Sequence, residues 1–145
     1  MPPYYPKVVP AAAGVFASLD GMIEVFKLNF GYRPDLISNE TLKLFHTAVT
    51  PNYDLMRWNI PWPFPKKKLK SYYGLGWRII QNSDKPEKVL IFHSGHISGV
   101  RSFIGYLPEE ELGMIFLTNQ DNDFSVKRGF EFWGMFLNDG YSKKV

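Results

Sequence analysis

Three apolar runs between Val89 and Thr118 constrain this chain more than anything else in it. Lys88-Val89-Leu90-Ile91-Phe92, Val100 to Leu107 and Leu112 to Thr118 follow one another with links too short to hold a crossover helix. Strands joined so tightly run antiparallel. A further run lies upstream. Tyr73, Leu75, Trp77 and Ile79 alternate with Gly74, Gly76, Arg78 and Ile80, which reads as one strand. Asn82-Ser83-Asp84-Lys85-Pro86 is the turn that follows it, and residues 88 to 94 form the next strand. Pro108-Glu109-Glu110-Glu111 joins the last two.

Helical spacing flanks the strands. Ser18 is placed to cap a helix in which Leu19, Met22, Ile23, Phe26 and Phe30 recur, and Gly31 ends it. Ser38 is placed to cap a second, with Leu42, Phe45 and Val49 inward and Pro51 as its stop. Asp123 is placed to cap a third, with Val126, Phe130, Trp133 and Leu137 on one face and an end near Gly140. Residues 1 to 14, rich in Pro and Ala, read as irregular, and residues 51 to 71 as a long Pro-broken loop. The sum is an α+β layer, an antiparallel β-sheet flanked by helices. With 145 residues, 45% of them apolar, the chain has material for one domain with a real core.

The strand that ends at Phe92 continues as His93-Ser94-Gly95-His96-Ile97-Ser98-Gly99. An imidazole, a hydroxyl and a flexible backbone at a strand end present polar groups at a sheet edge, which suits a site better than a core. The plainer reading, that polar residues simply finish a strand, is the stronger one without the surrounding pattern. A zinc site from His46, His93 and His96 is the lesser alternative. Metal pairs ordinarily come at helical spacing or with Cys or carboxylate ligands. Gly95-His96-Ile97-Ser98-Gly99 is not a Gly-x-Ser-x-Gly elbow, because the serine stands one position late.

Other classes find less support. A net charge of +3 is no nucleic-acid footprint, and the absence of cysteine removes disulfide and thiol chemistry. No run approaches the ~20 apolar residues that span a bilayer. Met1-Pro2-Pro3-Tyr4-Tyr5-Pro6 lacks the pattern of a signal peptide and reads like the middle of a longer protein. The loop 58–70 carries Trp58, Trp62 and Phe64 beside Lys66, Lys67, Lys68 and Lys70. It suits an anionic membrane surface or single-stranded nucleic acid, but a basic run alone argues more for rings covering the sheet and solvated lysines.

The order of these pieces resembles the serine β-lactamase-related family, which includes class C β-lactamases, DD-peptidases (penicillin-binding proteins) and esterases. Pro10-Ala11-Ala12-Ala13-Gly14-Val15-Phe16-Ala17-Ser18-Leu19-Asp20-Gly21-Met22 resembles the family's entry of a glycine and then a Ser-x-x-Asp-Met helix. Tyr73-Gly74-Leu75-Gly76-Trp77 resembles its Tyr-Gly-Leu-Gly-Trp strand. His93-Ser94-Gly95 stands where it has a Lys-Thr-Gly or His-x-Gly box. Gly99 to Pro108 and Leu117-Thr118-Asn119 resemble the strand, proline turn and closing strand that follow. The resemblance implies that His93 and Ser94 face substrate and that the backbone N–H of His96, after Gly95, serves the oxyanion hole. It implies a small-molecule acyl substrate and no metal or cofactor.

The departure is as informative. No serine here has Lys three residues on, and no tyrosine has Asn two residues on. The family's nucleophile box, Ser-x-x-Lys, and its Tyr-x-Asn box are therefore missing, and both precede the matched region. The expectation is a single partial domain over residues 1–145, the C-terminal portion of a β-lactamase-like hydrolase, catalytically silent alone. His in place of Lys is cationic only at lower pH, which favours esterase or peptidase specificity over penicillin binding. The competing classes are a self-associating remnant and a half-enzyme completed by a separate N-terminal chain. Loss of the N-terminal part is expected to expose a strand edge and the apolar sides of Phe92, Phe103, Phe116 and Trp133, and so to drive self-association. The sequence does not decide the compartment.

Overall fold

The structure, a computed structural model, describes residues 5–54, 59–63, 65–122 and 124–137. Its centre is a six-stranded sheet: β1 (Thr50–Pro51), β2 (Leu69–Tyr73), β3 (Arg78–Asn82), β4 (Val89–Ile97), β5 (Val100–Leu107) and β6 (Leu112–Thr118). The strands lie in chain order, and each pairs antiparallel with the next. Helices α1 (Tyr5–Val8), α2 (Pro10–Ala13), α3 (Leu19–Asn29) and α4 (Asn39–Phe45) precede the sheet, and α5 (Phe124–Leu137) follows it. The mixed α+β class expected from the sequence is present.

Burial on both faces explains why the strand runs are continuously apolar rather than alternating. Leu90 and Phe92 of β4 pack with Phe103, Leu107, Phe130, Trp133 and Leu137 against α5. Ile91, between them, packs with Ile79, Ile104, Tyr106 and Phe26 against α3. Phe130 of α5 meets Phe92 and Phe103 edge-on, with ring centroids 5.0 and 5.5 Å away. Phe92, Phe103 and Trp133 are each 0% exposed. The expected exposure of these three is thus corrected, because α5 folds back over that face and covers them. Phe116 is half-buried, tilted against Phe124 at 5.8 Å.

Several local expectations need revision. The alternating run at 73–80 is a hairpin, not a strand. Gly74 N–H donates to the Trp77 carbonyl at 2.8 Å, and Gly76 adopts φ +81°, a left-handed turn position open to glycine. Glycines that themselves alternate imitate a strand's period. The second helix stops at Phe45 rather than Pro51. Val49, placed inward from the spacing, is 62% exposed, and its N–H joins the Tyr73 carbonyl at 3.1 Å. The β-branched residues Thr47, Val49 and Thr50 favour this extended path, and Thr50–Pro51 pairs as β1. Residues 5–13 hold two single-turn helices instead of irregular chain, where Pro10 suits a first helical position and an alanine run follows.

The expected helix caps are present. Ser18 Oγ accepts from Gly21 N–H at 3.2 Å, and Ser38 Oγ accepts from Thr41 N–H at 3.3 Å. Gly31 lies at φ +80° just past α3. Met22, Phe26 and Phe30 face the sheet, while Leu19 and Ile23 stay exposed. Asp123 and Gly140 lie outside the described residues, as do Trp58 and Phe64. Trp62 is tilted against Phe130 at 5.3 Å, and Lys68 pairs with Asp84, so this part of the loop covers the core. No helix among the described residues is long and apolar enough to cross a membrane.

One buried polar knot ties α3, α4 and β5. Tyr106 Oη donates to Asn29 Oδ1 at 3.1 Å and lies 2.6 Å from His46 Nε2. The phenol has a single proton, so His46 Nε2 carries its own and donates to Tyr106 Oη. Burial holds the His46 pKa below its ordinary value and raises that of Tyr106, so both stay neutral.

Candidate active site

The β4–β5 hairpin builds the site. β4 does not end at Ser94. It runs on to Ile97, with His93 opposite Ile104, Ser94 opposite Phe103, Gly95 opposite Ser102 and His96 opposite Arg101. The chain reverses at Ser98-Gly99, where Gly99 takes φ +81°. The polar box is therefore held by ladder pairing rather than carried on a loose turn. A Cβ on Gly95 would meet Ser102 Oγ, the mobile end of the side chain opposite it, and no backbone atom.

Each box residue has its own surroundings. His93 is half-buried, with Nε2 3.1 Å from Tyr73 Oη and the two rings edge-to-face at 6.2 Å. The Arg78 guanidinium stands over the Tyr73 ring, 5.4 Å from its centroid. Burial first, and then the Arg78 charge, hold the His93 pKa below its ordinary value, so the imidazole is neutral at pH 7. His96 is exposed and places Nε2 2.9 Å from Asp121 Oδ1. Arg101 reaches the same oxygen through Nε at 3.0 Å and Nη2 at 2.9 Å. Partial desolvation would raise the Asp121 pKa, but the Arg101 hydrogen bond and the neighbouring charges outweigh it and hold the carboxyl low.

Ser94, Gly95 and His96 line an open cleft of about 770 Å³. Its other walls are the α2–α3 linker around Val15, Phe16 and Ala17, Ser102 of β5, and Leu117, Thr118 and Asn119 at the end of β6. His93 is not among the lining residues; it meets Tyr73 instead. The three histidines go separate ways, His46 to Tyr106, His93 to Tyr73 and His96 to Asp121. Among the described residues no group of three acidic or histidine side chains is arranged to hold a metal. The beta-lactamase family model matches residues 1–132. The chain belongs to the beta-lactamase family. No curated protein and no solved structure matches it. The beta-lactamase match takes in every strand of the sheet and every residue that lines the cleft.

Sequence reasoning on individual residues did not find the contributions of Tyr73, Arg78, Ser102 and Asp121. Tyr73 stands in the Tyr-Gly-Leu-Gly-Trp run, which was legible as a motif but not as a neighbour of His93. Asp121 had no signal at all. Its role follows from the chain reversing after β6 beside His96 and Arg101.

Proposed function

We propose that this chain forms one wall of an acyl-serine hydrolase site whose nucleophile lies in polypeptide outside these 145 residues. Ser94, Gly95 and His96 face the acyl substrate, the His96 backbone N–H is a donor for the oxyanion, and His93 completes the box. The observation that carries the reading is the cleft itself, with the box as one wall in a chain of the beta-lactamase family. Acyl transfer to serine needs an activated nucleophile and fixed donors aimed at the developing oxyanion. The box supplies the second of these, and no Ser-x-x-Lys supplies the first. His93, neutral and turned to Tyr73 rather than into the cleft, brings no cation to a substrate carboxylate there, which favours esters and peptides over penicillins.

The test is covalent labelling. The purified 145-residue chain is expected to take up no fluorescent penicillin and no fluorophosphonate. Stoichiometric labelling abolished by a single serine substitution would overturn the reading. An adjacent reading frame with Ser-x-x-Lys and Tyr-x-Asn would favour a half-enzyme completed by a second chain.

One feature favours a second, non-catalytic reading. β6 is a seven-residue edge strand without a charged side chain, and among the described residues no strand pairs on its outer side. Such an edge invites pairing with another copy. Sedimentation at micromolar concentration is expected to show dimers or larger species. A monomer with no concentration dependence would remove this reading.

A further inference from the structure

We propose that Tyr73 is the positioning residue of His93, its hydroxyl donating to Nε2 and so holding the imidazole as the tautomer that carries its proton on Nδ1. The proposal rests on reading His93 as part of the site. Tyr73 is the last residue of β2, fixed on both sides by pairing with Thr50 and Arg78. The chain turns immediately after it through the Gly74–Trp77 hydrogen bond, so its ring has little freedom to leave. Its oxygen lies 3.1 Å from Nε2, and the two rings meet edge-to-face.

The direction of that hydrogen bond follows from what surrounds it. The Arg78 guanidinium over the phenol ring draws on its electrons and makes the O–H a better donor. The same charge disfavours an imidazolium next door. With the phenol donating to Nε2, the one proton of a neutral imidazole sits on Nδ1. The groups facing His93 are Tyr73 from β2 and Arg78 from β3, while its β5 partner, Ile104, is uncharged. The proton state at the head of the box is therefore set by Tyr73 and Arg78 together.

The experiment is nitrogen-15 NMR of the histidine rings in the 145-residue chain. It needs no turnover, so its failure is separable from failure of the hydrolase reading. At pH 7.5 His93 is expected to show an unprotonated Nε2 and a protonated Nδ1. In Tyr73→Phe the Nδ1–H preference is lost and the His93 titration midpoint rises by about half to one pH unit, the worth of one hydrogen bond to the neutral form. Tyr72→Phe, one residue earlier, leaves both unchanged. A wild-type His93 with its proton on Nε2 would overturn the proposal, as would a Tyr73→Phe variant with unaltered tautomer and midpoint. Should Tyr73→Phe not fold, the wild-type tautomer alone decides.

Discussion

Phe130→Ala is expected to cost the protein about 3–5 kcal/mol of stability. Phe130 is fully buried in the middle of α5 and touches three rings from three parts of the chain: Trp62 of the loop before β2, Phe92 of β4 and Phe103 of β5. Truncation loses the transfer energy of the ring and leaves a cavity. The neighbours cannot collapse into it, because Phe92 and Phe103 are held in paired strands and stack on each other at 5.7 Å. Domains of this size have roughly 5–15 kcal/mol in total, so the loss takes a large share. Urea unfolding followed by circular dichroism is expected to show a midpoint shifted far down, with the slope little changed. Met135→Ala on the same helix, at a residue 58% exposed, is expected to stay within about 0.5 kcal/mol of the parent. A near-parental Phe130→Ala would mean that α5 does not dock on this face.

Ile91→Ala and His93→Ala, two residues apart on β4, are expected to separate packing from chemistry. Ile91 is 1% exposed and packs on the α3 side with Ile79, Ile104 and Phe26, so its truncation costs about 2–5 kcal/mol. His93 is half-buried and gives up chiefly the hydrogen bond to Tyr73, about 0.5–1.5 kcal/mol. The order reverses for turnover measured with the nucleophile-bearing polypeptide supplied. His93→Ala then loses activity per folded molecule, and Ile91→Ala keeps it. Equal stability losses from the two would make His93 a structural residue.

The parts of the fold legible in advance were those in which local pattern and tertiary packing agree. β4, β5 and β6 stood out because short links leave antiparallel pairing as the only arrangement, and because burial on both faces makes their apolar runs unbroken. The helix starts at Ser18 and Ser38 were legible because a cap is a local hydrogen bond. The hairpin at Gly74–Trp77 was not, since its glycines mimic alternation, and neither was the end of α4, where Val49 leaves the helix to meet β2. The site divides the same way. Ser94, Gly95 and His96 are consecutive and share a cleft, so a motif sufficed to find them. Tyr73, Arg78 and Asp121 reach the box through strand pairing and chain reversal, which no spacing in the sequence encodes.

The chain-order sheet also bears on how the molecule assembles. Every ladder among the described residues joins neighbours in the chain, and only β1 and β2 are separated by a longer link, residues 52–68. The entropy of closing a loop grows with its length, and the Ser98-Gly99 turn closes the shortest one in the sheet. Low sequence separation between partners goes with rapid folding, and the β4–β5 ribbon can zip up before α3 or α5 settles on its faces. The box residues that line the cleft thus belong to the element that needs the least of the rest of the chain to find its register.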